Sequence, residues 1–217
     1  MSAAPEPTDY FSNHRLKLRF PWSLYHRPIV QALEATFGSC LGPEVLNVGS
    51  GPFLELARID ARARSITIAD IDERAIAAAR KLHGDKLAGA DVLALNAGLP
   101  YATDRFDLVV SMDVVEHLPA PALGPWLSEI FRVTKPGGSV FLTTPNYAPT
   151  SGLALLEGTA LELIARAQGF SRKDLHPSKM TPERLRGLLE ACGWSRIHVE
   201  PISLGWVLAA NARKPRG

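Results

Sequence analysis

Cysteine is nearly absent from this chain. Cys40 and Cys192 are the two in 217 residues, and neither falls in a C-x-x-C or Cys/His spacing, which argues against a disulfide framework or a zinc site. The compartment this implies is a reducing cytoplasm. Long apolar runs are lacking as well. Residues 1–8 are rich in alanine and proline without the apolar core of a secretory signal, and no uncharged stretch nears the length of a membrane span. The expectation is a soluble protein, with peripheral contact at a membrane left open. Charge of one sign is scarce too. A formal charge of +2, with Lys and Arg scattered, offers no basic face for a phosphate backbone, so nucleic acid is not an expected partner. Internal repeats and domain-scale linkers are also missing. With 46% hydrophobic and 21% charged residues, the chain is long enough to bury one good core. The expected division is an arm or cap over residues 1–24 and one domain over 25–217, with an insertion at about 146–180 shaping the acceptor pocket.

What the chain does have is alternation. Ile29, Leu33 and Phe37 recur every four residues from Pro28 and stop at Gly38, which predicts a helix. Strand 44–48 then precedes a helix at about 52–59, strand 65–70, a helix capped by Asp72, a short strand ending near Asp91 and strand 106–110. A helix over about 121–133, the turn Lys135-Pro136-Gly137-Gly138 and strand 139–144 follow. Leu153, Leu156, Ala160, Leu163 and Ala167 mark a helix that is apolar nearly all round. Thr181-Pro182-Glu183 starts another, with Leu185, Leu188 and Leu189 as its buried face, and Gly193 stops it. Two closing strands, at about 195–201 and 204–212, are joined too tightly to be anything but antiparallel. The expected fold is α/β: a Rossmann-like, doubly wound, seven-stranded and mostly parallel sheet with a C-terminal antiparallel hairpin and helices on both faces.

The alternation is organised around Val45-Leu46-Asn47-Val48-Gly49-Ser50-Gly51, a strand feeding a Gly-x-Gly turn. Such a turn lets a ligand approach the backbone. Asp70 ends the second strand 19 positions after Gly51, where a doubly wound sheet places the acid that grips a ribose. A nucleoside-bearing cofactor follows. Leu54 stands where a dinucleotide fold wants a third glycine, and Pro52 removes a backbone donor, so a pyrophosphate is not expected there.

At this point the chain resembles the class I S-adenosylmethionine (SAM) methyltransferases. Six ordered blocks between about Tyr25 and Arg213 carry the likeness. They are Val45 to Gly51, Ile66 to Asp72, Leu99-Pro100-Tyr101 with Phe106 to Val110, Ser111 to Pro119, Arg132 to Asn146, and Thr181 to Leu185. The likeness is nearest to the small-molecule branch that includes the ubiquinone-biosynthesis O-methyltransferases. It implies SAM as cofactor, S-adenosylhomocysteine (SAH) as product, and a cofactor site lined by Asn47, Gly49, Ser50, Gly51, Asp70, Ile71, Asp91, Val92 and Met112. Asn47 replaces the acid usual in the family and Phe53 a small residue. Asp91 would lie near the adenine amino group, with Asn96 as competitor.

Asp113, Glu116 and His117 follow the fourth strand. In the resemblance they are either a magnesium site or a turn that positions the acceptor. The second is favoured, because histidine is a poor magnesium ligand. His117 is then the candidate general base, since an imidazole titrates near neutrality. His176 is a secondary acid-base candidate; His14, His26, His83 and His198 are read as surface or packing residues. The expected activity is methyl transfer to a small-molecule acceptor at a hydroxyl, by a monomer or homodimer. N- or C-methylation, a non-catalytic SAM-binding partner and a nicotinamide oxidoreductase are the alternatives.

Overall fold

The computed structural model describes residues 23–38, 43–52, 55, 63–94, 97–152 and 176–216. The arm over 1–22, most of the helix expected at 52–59, Asn96 and the apolar helix at 153–167 lie outside the described residues.

Helix α1, Ser23–Gly38, buries Ile29, Val30, Leu33 and Phe37. It begins five residues before Pro28, which lies inside it; the missing proline donor costs one hydrogen bond and does not prevent the helix from starting earlier. Strands β1 (Glu44–Val48) and β2 (Ser65–Asp70) precede α2 (Glu73–His83). Asp72 caps α2 in extended geometry and accepts from Arg74 N at 2.9 Å, while Glu73 opens the helix and Arg80, Lys81 and His83 close it, complementing the dipole. Next come β3 (Gly89–Val92), β4 (Phe106–Met112), α3 (Ala120–Val133) and β5 (Thr134–Pro145). The chain ends with α4 (Pro182–Ala191), β6 (Ser195–Ile202) and β7 (Val207–Arg213).

The sheet has seven strands in the order β3-β2-β1-β4-β5-β7-β6. The β1–β2, β1–β4, β2–β3 and β4–β5 pairs are parallel, and β7 is antiparallel to both β5 and β6. Side chains alternate between two cores. Val45, Ile66, Ile68, Leu108 and Val110 face α1 and α2; Leu46, Val48, Val109, Val140 and Leu142 face α3 and α4. Leu123, Leu127, Ile130 and Val133 form the fully buried stripe of α3. Truncating one of them, such as Leu127, to alanine costs about 2–5 kcal/mol.

Two expectations need correction. The turn at 135–138 is the start of β5, where the register against β4 shifts between Phe106 and Leu108. Gly137 N donates to Lys214 O and Lys214 N to Gly138 O, so the tail after β7 holds this segment in the sheet. The last strand begins at Val207 because Ser203 and Leu204 both take positive φ, making a wider turn closed by Gly205 N donating to Ile202 O.

Candidate active site

Strand order reverses at β1, whose neighbours are β2 and β4, and ligands bind at the carboxyl ends of strands at such a point. There β1 runs into Gly49 and Gly51, both at positive φ (74° and 67°). A Cβ on Gly49 would lie 2.9 Å from Val114 Cγ2, so Gly49 is required both by its backbone conformation and by the turn that follows β4. Gly49 N donates to Ala69 O, and Ser50 Oγ accepts from Met112 N at 2.8 Å, which ties the glycine turn to β2 and β4.

Asp70 is 7% exposed. Its Oδ2 accepts from Gly51 N and its Oδ1 from Asp72 N, each at 2.9 Å. One carboxylate thus shapes the glycine turn and keeps further lone pairs for two hydroxyl donors. Ile71, just after β2, and Val92, at the end of β3, expose apolar surface, 60% and 47% respectively. Asp91 Oδ2 accepts from Tyr101 OH at 2.8 Å. Burial first, then the Asp91 carboxylate, raises the Tyr101 phenol above its usual range and keeps it a donor. Arg132 on α3 donates to Leu99 O and Tyr101 O, and Glu129 accepts from Leu99 N, so one ion pair holds the Leu-Pro-Tyr block in place. Asn47 is fully buried with both amide atoms unpartnered. Buried amides rarely lack partners, and a polar ligand or water near β1 would supply one. These features fit SAM: the carboxylate suits its ribose, the exposed pair its adenine and the glycine turn its close approach.

The second half of the site follows β4. Asp113 takes φ 55°, donates its N to Thr143 O, and its Oδ1 accepts from Thr143 Oγ1 at 3.0 Å. A short 3-10 turn, Val115–His117, then buries Glu116 and turns His117 outward, 51% exposed. Glu116 Oε2 accepts from Thr144 Oγ1 at 3.0 Å. Burial, reinforced by the Asp113 charge, pushes its carboxyl up to about 8. Below that value the 4.0 Å approach of Glu116 Oε1 to His117 Nε2 joins a protonated acid to an imidazole. Ser178 fastens this turn, its N donating to Glu116 O and its Oγ to Leu118 O.

Of the expected donors, Glu116 and His117 converge, but the third member of the described cluster is His176; one donor atom from each lies within 4.8 Å of the others. Asp113 is not in that cluster. One carboxylate with two imidazoles is a poor donor set for magnesium, which prefers oxygen ligands. Val114, Tyr101, Thr144, Tyr147 and Ser178 are parts of the site that the sequence did not single out. Tyr101, Val114 and Thr144 lie inside the blocks that carry the resemblance; for Tyr147 and Ser178 no local pattern points to a role.

A glycine turn, a ribose-type acid and a mostly parallel sheet with a terminal antiparallel hairpin define a Rossmann-like fold with a site for a nucleoside-bearing cofactor. Residues 46–142 match the family described as a methyltransferase domain. The chain is 29% identical over 185 residues to the ubiquinone biosynthesis O-methyltransferase of Bordetella bronchiseptica, covering 82% of this chain and 75% of that one. To the enzyme of the same name from Azotobacter vinelandii it is 32% identical over 146 residues, 64% of this chain and 61% of that one. A SAM-dependent methyltransferase from Aquifex aeolicus superposes with a TM-score of 0.63 at 18% identity, covering 90% and 94% of the two chains. The CurJ carbon methyltransferase gives 0.63 at 15% identity, over 92% of this chain and 61% of that one. Residues 46–142 thus carry a methyltransferase domain, the chain is an enzyme, and its cofactor is SAM, with SAH as product.

Proposed function

We propose that this enzyme methylates a hydroxyl of a small molecule, with His117 as the general base. The observation that carries the proposal is the placement of His117. Its ring is half exposed on the turn whose Val114 packs against Gly49, so it borders the cofactor turn and the open end of β4 together. Bound SAM supplies an electrophilic methyl on a sulfonium. The chain must align the acceptor and exclude water, the main contributions to such a displacement. As the acceptor oxygen takes the methyl, its proton passes to a nitrogen of His117.

Asn47, Gly49, Ser50, Gly51, Asp70, Ile71, Asp91, Val92 and Met112 serve the cofactor in this account. Met112 does so through its backbone, which holds Ser50. The described parts of 146–180, residues 146–152 and 176–180, follow the carboxyl end of β5 and lead into α4, and in this account they lie on the acceptor side. Among the described residues no helix is long and apolar enough to cross a membrane.

The relatives named as O-methyltransferases support oxygen as the acceptor atom, while the CurJ neighbour is a reminder that the fold also serves carbon. The test is a SAM-fed screen of simple phenols, 1,2-dihydroxybenzenes and amines, reading SAH release and locating the methyl by mass spectrometry. O-methyl products support the assignment; N- or C-methyl products alone overturn it.

A further inference from the structure

Tyr147, His176 and His117 come from three separate stretches and meet at one sheet edge. Tyr147 follows β5, is 8% exposed, and donates its N to Met180 O at 2.8 Å. His176 stands at the head of the connection into α4. That connection is fastened on both sides: Asn146 bridges to Met180, and Ser178 binds the Val115–His117 turn. Within this frame the Tyr147 hydroxyl and His176 Nδ1 lie 2.6 Å apart. Whichever of the two donates, the bond selects the tautomer of His176. The His176 ring then meets the His117 ring edge to face, with centroids 5.0 Å apart and planes at 71°. His117 Nε2 also has Glu116 Oε1 at 4.0 Å.

A half-exposed imidazole on a short turn has rotamer freedom to lose, and transfer geometry tolerates only small displacements of the groups involved. We propose that Tyr147 and His176 are positioning residues: the Tyr147 hydroxyl fixes the His176 ring, and the His176 ring fixes the His117 imidazole at the mouth of the acceptor space. Neither is assigned a contact with the reacting atoms. The proposal rests on His117 acting as the base, and that role is tested separately by the turnover of His117→Ala.

The positioning itself is read without turnover. Protein labelled with nitrogen-15 in histidine, chelator-treated and saturated with SAH, is compared with Tyr147→Phe, which keeps the ring and removes the hydroxyl. The expected result is that His117 and His176 each show one tautomer in the wild type. In the variant both collapse to averaged ring signals, with His198 unchanged and SAH affinity by calorimetry unaltered. If Tyr147→Phe fails to bind SAH, His176→Gln is the second variant, expected to average the His117 ring alone. His117 signals that stay unchanged in an SAH-binding variant overturn the proposal. So does a joint shift of both rings on adding zinc or magnesium to the wild type, which would make Glu116, His117 and His176 a cation site instead.

Discussion

Replacing Glu116 by glutamine should change how the protein's stability depends on pH. The side chain is 1% exposed, one oxygen is engaged by Thr144 Oγ1, and burial together with Asp113 raises its pKa from 4.5 to about 8. An acid with a folded pKa above its unfolded one binds more protons folded than unfolded between the two values, so the wild type loses stability as pH climbs from 4.5 to about 8. The gap between the two values sets a ceiling of about 5 kcal/mol. Relaxation and water entry will reduce that figure. Glutamine keeps the shape and the acceptor for Thr144 but cannot ionise. Urea denaturation of both proteins at pH 5 and pH 9 reads the difference. The variant should be close to the wild type at pH 5 and more stable at pH 9 by a few kcal/mol. A gap that does not change between the two pH values, or one that turns against glutamine at pH 9, would refute the burial argument.

Asp70→Ala should weaken SAH binding by about 1.5–3 kcal/mol in calorimetry, the scale of lost hydrogen bonds to a charged group, and unchanged affinity would remove the ribose role. The same variant should also lose about 1–3 kcal/mol of stability, because Gly51 N and Asp72 N lose their acceptor. Gly49→Val should abolish detectable SAH binding, since any Cβ there meets Val114 Cγ2 at 2.9 Å and the backbone holds φ 74°; binding in the wild-type range would mean that the turn can refit. Deleting residues 1–22 should spare SAH affinity and remove turnover, whereas losing both would make the arm part of the core.

The parts legible in the sequence were those set by local chemistry. Asp72 and Thr181 cap their helices through bonds to residues two and three positions on, and β1, β2 and β4 are runs of mostly buried residues. The glycine turn and Asp70 were legible as a pair because the fold brings strand ends together at a regular spacing. What was not legible depends on partners distant in the chain. Thr144 meets Glu116 across 28 positions and Tyr147 meets His176 across 29. The start of β5 is a strand and not a turn because Lys214 pairs with Gly137 and Gly138. Glu116 illustrates the limit best: its sequence position suggests a ligand or a turn former, and only its burial beneath Thr144 and beside Asp113 raises its carboxyl to about 8.

The most direct test of the account compares wild type and His117→Ala at saturating SAM with a hydroxylated acceptor found in the screen, alongside SAH calorimetry on both. The account predicts a rate lower by about 10²–10⁴, the usual contribution of a general base, with SAH affinity nearly unchanged. A variant that transfers the methyl to oxygen at the wild-type rate would contradict it.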